Sequence, residues 1–138
     1  MLSELVLLTF DKIMQTRAYT VIVLGAESKR FAIYTDPSIG RALQMFLTGV
    51  EKTRPLTHDL IDMILKATTT VVLQVVIYDI QDTVYFAKLF LEQKQNNGSR
   101  HIIEIDSRPS DSITLALMNN APVYCTREVL NKTVAIED

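Results

Sequence analysis

From Thr70 to Ile80, and again from Thr83 to Leu91, the chain is apolar and rich in β-branched residues, with little but Gln81-Asp82 between the two runs. Such residues pack well on a pleated surface, and two runs joined by a short polar link predict a long hairpin. Apolar residues occupy both parities, as in Val71, Val72, Leu73, Val75, Val76 and Ile77. A strand with one face in water alternates, whereas this one reads as buried on both faces. Helices are therefore expected on one side of the hairpin and a second subunit on the other, which makes the chain a homo-oligomer.

The remaining elements are arranged around that hairpin. Leu5 to Phe10 and Ala18 to Leu24 read as strands separated by a polar stretch from Asp11 to Arg17. Gly25-Ala26-Glu27-Ser28-Lys29 reads as a hairpin turn in which Gly25 supplies the positive φ, and Arg30 to Thr35 follows as a third strand. After Pro37, apolar residues recur at Ile39, Leu43, Phe46, Leu47 and Val50, the spacing of one helix face. A second helix is expected with Thr57 as N-cap, Leu56 and Ile61 as its hydrophobic staple, and Leu60, Ile61, Ile64 and Leu65 as its buried stripe. His58, Asp62 and Lys66 then fall on the opposite face. Arg100 to Ile105 reads as a strand that runs into a helix with an apolar face at Ile113, Ala116 and Leu117. Ala121 to Cys125 reads as a last short strand, Thr126 to Leu130 as a helical turn, and the chain from Thr133 as a polar tail. The fold class is α+β, a mostly antiparallel sheet with about three helices.

At 138 residues and 48% hydrophobic, the chain supports one substantial core, so residues 1–138 are read as a single domain. With 14 basic and 16 acidic residues the formal net charge is −2. No global basic field is available to attract nucleic acid, so any such binding rests on a local site. The lone cysteine, Cys125, excludes an internal disulfide and a thiolate metal cluster, and a reducing cytoplasm is the expected setting. Met1-Leu2-Ser3-Glu4 lacks the basic start of a secretory signal, and no apolar run is long enough to span a bilayer, so no membrane association is expected.

Chemistry is concentrated at two junctions. Asp106-Ser107-Arg108-Pro109-Ser110-Asp111 gathers two carboxylates, a guanidinium and two hydroxyls where a strand gives way to a helix. As structure, Arg108 is an extended N-cap residue before Pro109, and Asp111 sits at N3, where a carboxylate suits free amides and the helix dipole. As chemistry, Asp106 and Asp111 are candidate ligands for a divalent cation, Mg or Mn, and Arg108 and Ser110 are candidate phosphate contacts. At Arg54-Pro55-Leu56-Thr57-His58-Asp59, His58 is a candidate proton-transfer group, Asp59 its partner, and Arg54 a substrate contact. A surface or capping role for His58 explains the same residues, and packing explains His101. A weak echo links Phe31–Leu47 to Ile103–Asn119, each a strand, a Pro-Ser dipeptide and a helix.

Together, Arg54-Pro55-Leu56-Thr57-His58-Asp59-Leu60 and Ile105-Asp106-Ser107-Arg108-Pro109-Ser110-Asp111-Ser112-Ile113 resemble the bifunctional nuclease domain family, also known as domain of unknown function 151. The resemblance extends from the first strand to Leu130. The chain departs from the family pattern after Ile39-Gly40, where Arg41-Ala42 stands in place of a Glu-Ala pair. What the resemblance implies is a nuclease acting on RNA and DNA. Metal-assisted hydrolysis would then use His58, Asp59, Asp106 and Arg108 as catalytic residues and nucleic acid as substrate. The alternative is a non-catalytic oligomeric module in which Arg54 or Arg108 pairs with Asp59 or Asp106 in a buried structural network. Loss of Arg108 would then cost roughly 3 kcal/mol.

Overall fold

In the computed structural model, residues 4–137 are described. The chain start, Met1-Leu2-Ser3, read above for a leader, and Asp138 lie outside the described residues. The elements run β1 (Leu5–Gln15), β2 (Thr20–Ala26), β3 (Lys29–Thr35), α1 (Pro37–Thr48), α2 (Thr57–Ala67), β4 (Thr70–Gln81), β5 (Val84–Lys94), β6 (Arg100–Ser107), α3 (Pro109–Met118), β7 (Val123–Thr126) and α4 (Arg127–Lys132). The seven strands form one sheet in the order β3-β2-β1-β7-β4-β5-β6. Only the β4–β7 pair is parallel, so the fold is α+β with a mostly antiparallel sheet.

Leu43 of α1, Ile113, Leu115 and Ala116 of α3, and Val129 and Leu130 of α4 share one core cluster with Val6, Leu8, Ile22, Val75, Ile77 and Leu89 of the sheet. Ile61 and Leu65 bring α2 onto the same cluster. All four helices therefore lie on one side of the sheet. The sheet curls around them: Phe31 of β3 and Tyr85 of β5 stack with ring centroids 6.0 Å apart, although four strands separate β3 from β5 in the sheet order. This wrapping buries α3 on most of its circumference, including Ser110, Ser112 and Thr114.

Several local expectations change. β1 continues through the polar stretch to Gln15, because a bulge between Phe10 and Lys12 lets Asp11 leave the ladder without ending it. In the β2–β3 turn Gly25 is paired in the ladder, and Glu27 carries the positive φ, 57°. Helix α2 starts one residue earlier than expected. Leu56 is its N-cap and offers no side-chain acceptor, while its N–H donates to Asp59 Oδ2 at 2.8 Å. The core-facing side of α2 carries Ile61 and Leu65, so Leu60 and Ile64 are exposed, and His58, placed on the outer face by the sequence reading, is buried against Asp111 of the later helix. Phe46 and Leu47 of α1, and Val50 just past its end, are likewise exposed, and His101 is exposed on β6 rather than packed. The tail is tied back by Ile136 N–H donating to the Arg30 carbonyl at 2.9 Å.

The close seating of α1 depends on Gly40. A Cβ there would lie 2.1 Å from Thr20 Oγ1 and 2.7 Å from Thr20 Cγ2, so only a residue without a side chain lets the helix approach β2 this closely.

Candidate active site

The two Pro-Ser helix starts meet. Asp36 caps α1 by accepting from Ile39 N–H, and Pro37 follows at the first helical position. Arg108 is the N-cap of α3, extended as its proline requires, with Pro109 next. Thr35 Oγ1 donates to Ser110 Oγ at 3.1 Å, and Arg108 Nη1 reaches Asp36 Oδ2 at 3.4 Å. The Ser38 hydroxyl and Arg108 together hold the Asp36 carboxyl below the usual carboxylate range.

Asp111, in the first turn of α3, is the centre of the cluster. Its Oδ2 accepts from Arg108 Nε at 2.8 Å, and its Oδ1 lies 3.0 Å from His58 Nε2. An ionised carboxylate only accepts, so the neutral imidazole carries its proton on Nε2 and its lone pair on Nδ1. His58 is 6% exposed. Nδ1 has no hydrogen-bond partner among the described residues, yet it is absent from the sealed, unpaired polar atoms, which are Thr20 Oγ1 and Ser107 Oγ. His58 lines a cleft of about 340 Å³ between α1 and α2, together with Ser38, Arg41 and Thr57. On the other flank of Arg108, Asp36, Thr35 and Tyr85 line a second cleft of about 260 Å³.

The structure thus brings His58, Arg108 and Asp111 together, and adds Asp36. Other residues singled out from the sequence lie apart from this cluster. Asp106 pairs in register with Lys88, on the sheet face away from the helices, and accepts from Tyr78 Oη at 2.9 Å. Asp59 accepts from Leu56 N–H and binds Lys52 Nζ at 3.0 Å, contacts that hold its carboxyl below the ordinary value. Arg54 lines a cleft of about 370 Å³ beside Asp59 and Lys52. Ser110 is 3% exposed. The Arg108 side chain is 60% exposed, so the buried ion-pair network of the alternative reading does not include it as a buried charge. Cys125 is buried and its thiol is pushed up to about 11 by desolvation, the state of a structural rather than a reactive cysteine.

A divalent cation shared by Asp106 and Asp111 does not fit this donor set. Both Asp111 oxygens already face cationic or N–H groups, Asp106 is engaged on the far face, and no three His, Cys, Asp or Glu side chains among the described residues converge on one point. Asp36 and Arg41 were missed from the sequence. The repeated Pro-Ser signal could have exposed Asp36, but nothing local marks Arg41, which enters only because α1 and α2 face each other.

Fold and site together define an α+β domain with a His–Asp–Arg cluster at a pair of helix N-termini. The bifunctional nuclease domain matches residues 21–137, and the chain belongs to that family. Two uncharacterised proteins, from two strains of Mycobacterium tuberculosis, are each 34% identical to it over 98 residues, or 71% of this chain. The match covers 55% of each relative, so the chain spans about half the length of those proteins. No described helix is long and apolar enough to cross a membrane.

Proposed function

We propose that the domain cleaves phosphodiester bonds of nucleic acid, with His58 as the proton-transfer group. The observation that carries this reading is the buried His58, fixed by Asp111 through Nε2 at the wall of a cleft. A base oriented by a carboxylate, itself held by a third group, is the arrangement of an activated acid–base pair. Arg108 acts through Asp111 as a positioning residue and, with its guanidinium largely in solvent, offers free N–H groups to a phosphate. Family membership supports the nuclease class. Purified His58→Gln and Asp111→Asn variants should each lose at least about a hundredfold in kcat on an oligonucleotide while keeping a cooperative melt. Full activity in a folded His58→Gln variant would end this assignment.

A second reading, an assembly module, is favoured by the other side of the sheet. There Leu5, Leu7, Val71 and Ile102 are exposed, and the cross-strand row Leu7, Tyr124, Val76, Lys88 and Asp106 places one cation and one anion in an apolar frame. Such a face suits a second copy of the chain, as expected from the doubly apolar hairpin. Light scattering on Val71→Glu should report a smaller species than the parent protein, with Ile64→Glu on the helical side unchanged. Equal masses for parent and Val71→Glu would exclude this face as the interface.

A further inference from the structure

We infer that β6, a free edge of the sheet, pairs antiparallel across a two-fold axis with β6 of a second copy of this chain, Ile102 facing Ile102 and Arg100 facing Glu104. This surface is the rim of the sheet rather than the face considered above. It stands whether or not that face is covered, and whether or not the domain is a nuclease.

The sheet ends at β3 on one side and at β6 on the other. An edge strand presents a row of N–H and C=O groups to any passing strand, and proteins guard such edges with proline, lysine, bulges, short strands or a covering segment. The β3 edge is guarded by the tail, whose Ile136 N–H donates to the Arg30 carbonyl at 2.9 Å. None of these devices protects β6. Its eight residues, Arg100–Ser107, contain no proline or lysine and keep register with β5 without a bulge. All of them but Ile103 and Ser107 are exposed, including Ile102 at 52% and Ile105 at 42%. Among the described residues, no hydrogen bond from outside β5 reaches the β6 backbone.

The phase of the ladder decides which groups are free. Gln95 N–H donates to the Ser99 carbonyl at 2.8 Å, one step beyond the Lys94–Arg100 pair, so the odd-numbered residues of β6 exchange bonds with β5. Arg100, Ile102, Glu104 and Asp106 therefore turn their N–H and C=O groups outward. A two-fold partner docks only where its own outward groups meet these. With Ile102 on the axis, Arg100 of each copy faces Glu104 of the other, and an apolar pair sits between ion pairs. An axis at His101 sets Ile102 against Arg100, and an axis at Ile103 sets it against Glu104, so charge and apolarity select one register. The Arg100 and Glu104 side chains are 69% and 55% exposed, and their present partners, Glu92 and Lys88, lie on β5. Docking then builds a row of alternating sign: Lys88, Glu104, and Arg100 and Glu92 of the second copy.

The test is sedimentation of the full chain over a range of concentration, with a melting curve for each variant. The parent should dimerise. Arg100→Glu and Glu104→Arg each place like charges opposite one another on both sides of the axis, and each should weaken the dimer about thirtyfold. The double variant Arg100→Glu/Glu104→Arg should recover most of the parent affinity, a rescue that general loss of stability cannot produce. Ile102→Pro removes an N–H that points outward and spares the bonds to β5, so it should give a folded monomer. A monomeric parent overturns the inference and leaves the edge to a strand of another protein. Single variants with the parent affinity, or a double variant as weak as the singles, overturn it too. Val71→Glu reports on the sheet face and not on this edge, so the two surfaces fail independently.

Discussion

Gly40 and Thr20 show how much a single residue decides. Thr20 Oγ1 is buried with no partner and sits where a Cβ on residue 40 would be, so α1 rests against β2 with no spare volume. The end of Gln15 is also within 2.7 Å and can move, but the two Thr20 atoms belong to a short, β-branched side chain that cannot swing aside. Gly40→Ala should therefore destabilise the fold by about 1–3 kcal/mol, read as a lowered urea midpoint at unchanged slope. Because Ser38, Arg41 and His58 share the cleft beside that helix, activity should fall more than stability explains. Neither effect is visible in Ile39-Gly40 as sequence, where glycine inside a helix only marks a weak spot.

Among the elements, the start of α3 is the informative one. The sequence reading of Arg108 as an extended residue before Pro109, with Asp111 in the first turn, agrees with the structure, because proline restricts its neighbour through local sterics. What locality does not supply is the partner. Asp111 meets His58 across 53 residues and Arg108 meets Asp36 across 72. Arg108 is mostly exposed, so Arg108→Gln should change stability by less than about 1 kcal/mol, well below the cost expected for a buried charge. It should lower kcat by about tenfold through a loosened Asp111, with Arg108→Lys restoring part of the rate. Helix α2 carries the opposite lesson: it turns Ile61 and Leu65 to the core and leaves Leu60 and Ile64 exposed, and packing beside Asp111 of α3 buries the histidine that periodicity placed outside.

At the scale of the molecule, carboxylates that reach solvent set the acid limit. Arg127 holds Glu27 down, Ser38 and Arg108 hold Asp36 down, Leu56 N–H and Lys52 hold Asp59 down, and Gln81 and Ile80 N–H do so for Asp79. Each of these groups has a lower pKa folded than unfolded. Each therefore adds stability above the ordinary carboxylate value and loses it as pH falls through the folded value. Melting temperature should be flat across pH 5 to 7 on account of these groups and drop below about pH 4. Added salt should shrink the drop, since all four are at the surface. A melting curve that was flat down to about pH 2 would show that these contacts do not act in solution.

The amino-acid sequence by itself determined the strands, the helix starts at Pro37 and Pro109, the α+β class and the polar character of both junctions. Alternation, proline sterics and capping act within a few residues, so a linear reading reaches them. Only the tertiary structure decided which junctions touch. Packing of α2 beside α3 set His58 against Asp111, the curl of the sheet brought Asp36 to Arg108, and the register of β6 on β5 left Asp106 on the far face beside Tyr78. Burial and long-range pairing depend on how layers close over one another, and that closure is a property of the whole chain rather than of any stretch of it.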